Sequence, residues 1–341
     1  MSPTSSTEKP LECLLVGSVP LASSEEVMRR CAGVLSGVTN QFPDGEVGER
    51  SNWIFWQNEV FQKNEQFVDA SPIEGMYQAG IRPGHSGPIV FEDLGYAQAA
   101  TESYSTFCKL RDEGVMPKDA RFQVSLPTPL AVVTFYTVLD DRARIEEAYA
   151  TALINEAKRI FADIPHDDLA LQWDVAVEVA ILEQAMPTHL ASPYEDILER
   201  LCQLIALTPV DVRMGVHLCY GDAGHQHFKE PDDLALVVRL ANSIADRTKR
   251  PIHWVHMPVP ISRSDDDYFQ PLENLAIDNN TRLFLGLVHE QDGVDGAKTR
   301  IAAARKHYPR FGIATECGMG RRDPALIPGL LKLHREVAGA T

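Results

Sequence analysis

Val212-Arg213-Met214-Gly215-Val216-His217-Leu218-Cys219 is a short apolar run of strand length. It is followed by an amphipathic stretch, Asp232–Asp246, and then by a second apolar run, Ile252–Met257. Strand, helix and strand in that order form the repeating unit of a parallel sheet. Toward the N-terminus the same alternation continues. Strand candidates at Leu169–Asp174 and Arg121–Leu126 are separated by the long amphipathic stretch Arg142–Phe161, and Tyr194–Ile205 leads into Val212. A weaker strand near Asn40–Phe42 and one at Glu12–Val16 flank Ser23–Leu35, which opens on the helix-starting run Ser23-Ser24-Glu25-Glu26. Toward the C-terminus, Leu283–Val288 and Phe311–Thr315 flank Asp295–His307, and Pro324–Val337 closes the chain. About eight strands alternating with helices predict an α/β fold, a single (β/α)8 TIM-type barrel, with a doubly wound sheet as the alternative.

The stretch Phe61–Ala100 breaks the alternation. It is rich in Gly, Pro and polar residues, with Pro83-Gly84-His85-Ser86-Gly87-Pro88 at its centre, and reads as an insertion or lid over one end of the barrel. Residues 1–10 are polar and read as a disordered leader, which leaves 11–341 as one TIM-barrel catalytic domain. The 341 residues are 44% hydrophobic and 23% charged, the composition of a globular protein. A formal charge of −16 repels phosphate backbones and anionic membrane, so neither nucleic acid nor membrane is an expected partner. No apolar run approaches the ~18 residues of a membrane-spanning helix. The N-terminal stretch has no apolar core of the secretory kind. Six unpatterned cysteines fit a reducing, cytoplasmic setting better than a disulfide framework.

In barrels the chemistry gathers where strands end. Those ends read Gly17-Ser18, Asp44-Gly45-Glu46, Pro127-Thr128-Pro129, Gln172-Trp173-Asp174, His217-Leu218-Cys219-Tyr220, His253 to His256, Gly286 to His289, and Thr315-Glu316-Cys317-Gly318. Positions i and i+2 of a strand share a face, so His217 and Cys219 can share one metal ion. Alone, a cysteine is ordinarily a small buried hydrophobe and a histidine a hydrogen-bonded filler. Cys317, arriving at another strand end, supplies a third soft ligand. A His/Cys/Cys set favours zinc, at roughly 2.0–2.3 Å from each ligand. Zinc binds a thiol as thiolate and so supplies a nucleophile near neutral pH, which makes alkyl transfer at sulfur a natural reaction. Cys13, Cys31, Cys108 and Cys202 fall in apolar or helical patterns and read as structural. The phosphate-binding, dinucleotide and nucleophile-elbow motifs are absent.

Val16-Gly17-Ser18-Val19-Pro20, Asp44-Gly45-Glu46, Gln172-Trp173-Asp174, His217-Leu218-Cys219-Tyr220 and Glu316-Cys317-Gly318 occur in this order. Together they resemble the C-terminal catalytic domain of cobalamin-independent methionine synthase. That family lies in a barrel superfamily with uroporphyrinogen decarboxylase and the zinc-dependent coenzyme M alkyltransferases. The resemblance runs from Leu11 to Leu333. It implies zinc ligation by His217, Cys219 and Cys317. It implies that Gly17 and Ser18 receive a substrate carboxylate, that Glu46 and Asp174 hold the amino group of homocysteine, and that His289 donates a proton.

The chain also departs from the pattern. The family's fourth zinc ligand is a glutamate, whereas Pro251-Ile252-His253-Trp254-Val255-His256-Met257-Pro258 offers no carboxylate. His256 falls nearest, so it is either a fourth ligand or the zinc keeps three. Losing the carboxylate removes a negative charge from the site, which would bind a thiolate more tightly and make it a weaker nucleophile. Asp174 is followed by Val175-Ala176 instead of an acidic residue and proline, which changes the homocysteine pocket. Trp53 and Trp56 are particular to this chain. The expectation is a zinc-dependent methyl- or alkyltransferase acting on a small thiol, homocysteine or another, with a methylated folate or a methylated corrinoid protein as donor. A zinc-dependent lyase or hydrolase and a non-enzymatic zinc barrel are the alternatives.

Overall fold

The structure, a computed structural model, describes residues 9–221 and 226–340. All but the last two residues of the expected leader lie outside them. In chain order the elements are α1 (Ser24–Leu35), β1 (Gln41–Pro43), α2 (Asn58–Lys63), β2 (Phe67–Asp69), β3 (Ala79–Ile81), α3 (Tyr96–Asp112) and β4 (Arg121–Pro127). There follow α4 (Pro129–Tyr136), α5 (Leu139–Asp163), β5 (Leu169–Val175), α6 (Val177–Leu182), α7 (Pro193–Leu207) and β6 (Arg213–Leu218). The chain finishes with α8 (Ala235–Arg247), β7 (Trp254–Pro258), α9 (Asp266–Phe269), β8 (Arg282–Gly286), α10 (Gly293–His307), β9 (Phe311–Ile313) and α11 (Ile327–Gly339).

Seven strands form one parallel sheet in the order β1-β4-β5-β6-β7-β8-β9, curled as a half-barrel with helices outside. Every residue of β5 is buried, as a strand covered on both faces requires. Two apolar layers result. Leu14, Val16, Ala170, Trp254, Phe284 and Ala314 form a small cluster inside the curl. The larger core lies between the sheet and its helices.

The expected strand at Glu12–Val16 is a single parallel bridge, Cys13 to Ile313. Leu14 N donates to Ile313 O at 2.9 Å, Ile313 N to Glu12 O at 2.8 Å, and Cys13 N to Val38 O at 2.7 Å. The next carbonyls are taken by side chains. Gln123 Nε2 donates to Leu15 O at 2.9 Å, and Gln172 Nε2 to Val16 O at 2.6 Å. Inward-pointing amides therefore hold this segment where a backbone ladder would otherwise run.

The expected insertion is also corrected. Its last residues begin α3, the crossover helix between β1 and β4. That start lacks a side-chain cap: Gly95, at φ 84°, stands before it. The rest is α2 and the antiparallel hairpin β2–β3, in which Phe67 pairs with Ile81. Phe61 stacks on Tyr149 and Tyr136 at 5.6 and 5.4 Å. Val138 N donates to Ala79 O at 3.1 Å, and Ile81 N to Asp141 Oδ2 at 2.8 Å. These contacts clamp the segment onto the α4–α5 junction. None of its described residues lines the cavity that holds the His/Cys/Cys cluster, and its contacts brace the α4–α5 junction. Among the described residues no helix is long and apolar enough to cross a membrane.

Candidate metal centre

β6 ends in His217 and Leu218, and its alternation directs His217 and Cys219 to one side. Cys317 arrives four residues beyond β9. Their donor atoms lie within 4.8 Å of one another. Cys219 Sγ is 3.7 Å from Cys317 Sγ, and Cys317 Sγ is 3.7 Å from His217 Nε2. Tetrahedral zinc, with Zn–S about 2.3 Å and Zn–N about 2.0 Å, sets its donor pairs about 3.5–3.8 Å apart. The donor set and both spacings therefore fit a zinc ion.

The surroundings favour thiolates. The neighbouring Cys219 thiol, then His217 and Arg321, hold Cys317 well below the ordinary thiol range against the opposing effect of burial. Arg321 reaches the same sulfur at 3.7 Å. Gly221 N donates to Cys219 Sγ at 3.3 Å. That turn needs glycine: φ is 83°, and a Cβ would lie 2.3 Å from the Phe228 ring. The loops carrying the two cysteines are tied by an ion pair, His227 to Glu316, at 3.0 Å. Burial lowers the His227 pKa, but Glu316 and Glu230 outweigh it and bring it to about 9.

His256 lies beside His217 in register across β6 and β7 and has no exposed surface. It does not belong to the three-residue cluster. Its Nε2 is 3.1 Å from Thr315 O, and its Nδ1 is 2.6 Å from His217 Nδ1. Burial, then the neighbouring His217, push its pKa well below the usual range, so the ring is neutral. A carbonyl only accepts, so His256 Nε2 carries the hydrogen and its Nδ1 is bare. That bare nitrogen accepts from His217 Nδ1–H and leaves His217 Nε2 with its lone pair toward the cysteines. Thr315 O and His256 thus fix the tautomer that a ligand needs. The sequence allows His256 as fourth ligand or as none, and in this arrangement both its ring nitrogens lie within hydrogen-bond distance of other groups.

The cluster opens on a cavity of about 600 Å³, open solvent at its mouth included. Glu46 and Asp174 line it with Gly17 and Ser18. Asp174 is the penultimate residue of β5, where Gln172 Nε2 donates to its Oδ1 at 2.9 Å. Burial raises the Asp174 carboxyl to about 7, against the opposing pull of His217. Burial, then Asp174 and Asp44, raise Glu46 well above the carboxylate range. Among the described residues no donor hydrogen-bonds to the Glu46 carboxylate. Asp44 shapes its loop, accepting from Glu46 N at 2.8 Å and pairing with Arg50 at 2.6 Å. Glu46 and Trp53 are two of only three non-glycine residues with positive φ among those described, at 50° and 53°. Strain of this kind gathers at ligand sites.

The other expected residues have mixed places. Gly17 lets the backbone approach closely, since a Cβ there would lie 3.3 Å from Glu46 Oε1. Ser18 is 5% exposed, and its hydroxyl accepts from Gly320 N at 3.2 Å, which seats the loop after Cys317. His289 is buried and does not line the cavity. Its Nε2–H donates to Val259 O at 2.9 Å, and burial, then Arg300, bring its pKa down to about 4. Sequence reasoning passed over Phe55, Phe135 and Phe228, which line the cavity with Trp53. Phe135 lies inside an apolar helix and Phe228 in a loop, so no strand-end pattern marks either.

No protein-family model matches the sequence, and no curated protein does. Solved structures do match in shape. One is a provisionally named vitamin-B12-independent methionine synthase from Listeria monocytogenes, at 13% identity and TM-score 0.53, covering 92% of this chain and 86% of that one. Another is a B12-independent methionine synthase from a Shewanella species in complex with selenomethionine, at 16% identity and TM-score 0.58, covering 93% and 86%. At such identities the likeness is one of fold.

Proposed function

We propose that this chain is a zinc-dependent transferase that activates a small thiol and moves a methyl or other alkyl group onto its sulfur. The observation that carries the reading is the spacing of His217 Nε2, Cys219 Sγ and Cys317 Sγ for one tetrahedral ion at the floor of a substrate-sized cavity. The solved structures of similar fold, named as methionine synthases, support it. Zinc held by these three residues would leave an open position and supply the Lewis acidity that keeps a substrate thiol ionised near neutral pH.

The chain's own groups do the rest. Glu46 and Asp174, whose burial favours the protonated form, would ionise against an ammonium on the thiol substrate. Thr315 O and His256 hold His217 in its ligand tautomer. The cavity walls exclude water from the sulfur. His289, spent on Val259 O, has no part in this scheme.

Metal analysis of protein purified without chelator tests the reading. About one zinc per chain is expected in the wild type, and Cys219→Ser and Cys317→Ser should each lose it. In the cobalt-substituted protein, an added thiol should strengthen the sulfur-to-metal charge-transfer band. Folded wild type without metal overturns the proposal. Metal with no response to any thiol redirects it to a zinc-dependent lyase or hydrolase.

A further inference from the structure

Four aromatic rings share the cavity with the two carboxylates. Phe135 is the hub: its ring centroid lies 6.5 Å from Trp53, 5.7 Å from Phe55 and 6.2 Å from Phe228. Phe55 stays 36% exposed, an apolar ring left uncovered beside a polar site. The face of an aromatic ring is electronegative and attracts cations, most strongly where water is excluded. Glu46 and Asp174 set two acids on the wall of the same space, and the Glu46 carboxyl accepts no hydrogen bond from a described residue. A primary ammonium is satisfied by carboxylates alone. A fully alkylated cation has no N–H to donate and is held instead by ring faces and by the field of nearby acids.

We propose that the alkyl donor is an onium cation, a quaternary ammonium or a sulfonium, seated against Trp53, Phe55, Phe135 and Phe228. This inference rests on the thiol-activating reading above. The acceptor thiol first releases its proton to solvent. Its sulfur then attacks the donor's methyl carbon, so that an S–C bond forms and the C–N or C–S bond breaks. The electron pair of the broken bond stays on the leaving atom, which departs as a neutral amine or thioether. A thiolate and a cation thus become two neutral products, and the leaving atom needs no proton. The placement of His289 agrees, since the expected proton donor does not line the cavity. Mutual neutralisation of charge is also the kind of reaction that a water-poor, aromatic-walled cavity favours.

Calorimetric titration of the wild-type protein, with and without zinc, tests this with three probes: choline, trimethylsulfonium, and dimethylbutanol as the uncharged carbon isostere of choline. At least one onium should bind about tenfold more tightly than the alcohol. Choline alone identifies an ammonium donor, and trimethylsulfonium alone a sulfonium. Trp53→Leu and Phe135→Leu should each weaken that binding about tenfold at unchanged zinc content and circular dichroism. Equal binding of the alcohol, absence of onium binding, or folded variants that bind as the wild type does would each overturn the proposal. Should either variant fail to fold, the ratio of choline to alcohol in the wild type decides. Absence of zinc would sink the thiol reading separately, because cation selectivity is read on the chain itself.

Discussion

Two cavities in this molecule each hold a pair of acids, and they differ in what surrounds the pair. The first, beside the metal cluster, contains Glu46 and Asp174. The second, of about 450 Å³, lies among α4, α5, α6 and α7 and contains Glu146 and Glu178. Burial raises Asp174 and Glu178 alike to about 7. Around Glu178 stand Leu130, Ile154, Ile197, Leu201 and Leu204. Among the described residues its only side-chain partner is the Thr128 hydroxyl, and its other oxygen has none. Glu146 is neutralised by Arg200 at 2.7 Å and lies in hydrogen-bond contact with His189 at 2.8 Å. Asp174, by contrast, faces two thiols, an imidazole and the unpaired Glu46. A displaced pKa therefore reports desolvation in both places, and function is argued only where reactive groups converge on one space.

The sharpest way to break this contrast is to neutralise the first pair. Asp174→Asn and Glu46→Gln should each lower kcat/KM for thiol alkylation by about a hundredfold. The melting temperature should hold or rise, since each change removes a desolvated acid. Variants that melt early yet turn over normally would place the two cavities in one structural class.

Glu178→Gln should do the opposite, stabilising the fold and leaving turnover alone. The native Glu178 keeps its proton up to about pH 7, whereas the unfolded chain releases it near the ordinary glutamate value of 4.5. Between those values the native state binds more protons, so this residue makes stability fall as pH rises through the window. At pH 8 the glutamine variant should be more stable by about 1–3 kcal/mol, and the difference should vanish below about pH 4. Denaturant melts at several pH values check both signs.

The smallest effect is expected at Thr128. Its hydroxyl accepts from Ala131 N at 3.0 Å, capping α4, and donates to Glu178. Thr128→Val should cost about 1 kcal/mol by chemical denaturation, with turnover unchanged. A loss of turnover there would join the second cavity to the first.

Much of this was legible in the chain because it is local. Strand candidates from Asn40 onward overlap β1 and β4 to β9 within a few residues, since apolar runs between amphipathic helices leave few other readings. Glu12–Val16 reads as a strand and pairs with Ile313 by a single bridge, because side-chain amides from β4 and β5, distant in sequence, take its next carbonyls. The insertion was overextended because α3 starts without a side-chain cap. Phe135 and Phe228 carry no local mark that separates them from core aromatics.

Alternation along β6 alone sets His217 and Cys219 on one side, because side-chain direction in a strand depends only on the parity of the position. That Cys317 joins them at 3.7 Å from a position 98 residues away was decided by the curl of the sheet. So were the engagement of both nitrogens of His256 and the meeting of four aromatic rings around one cavity. A sequence fixes local periodicity. Distances between strand ends, and so the tautomer of a buried imidazole, depend on how separate elements pack against one another.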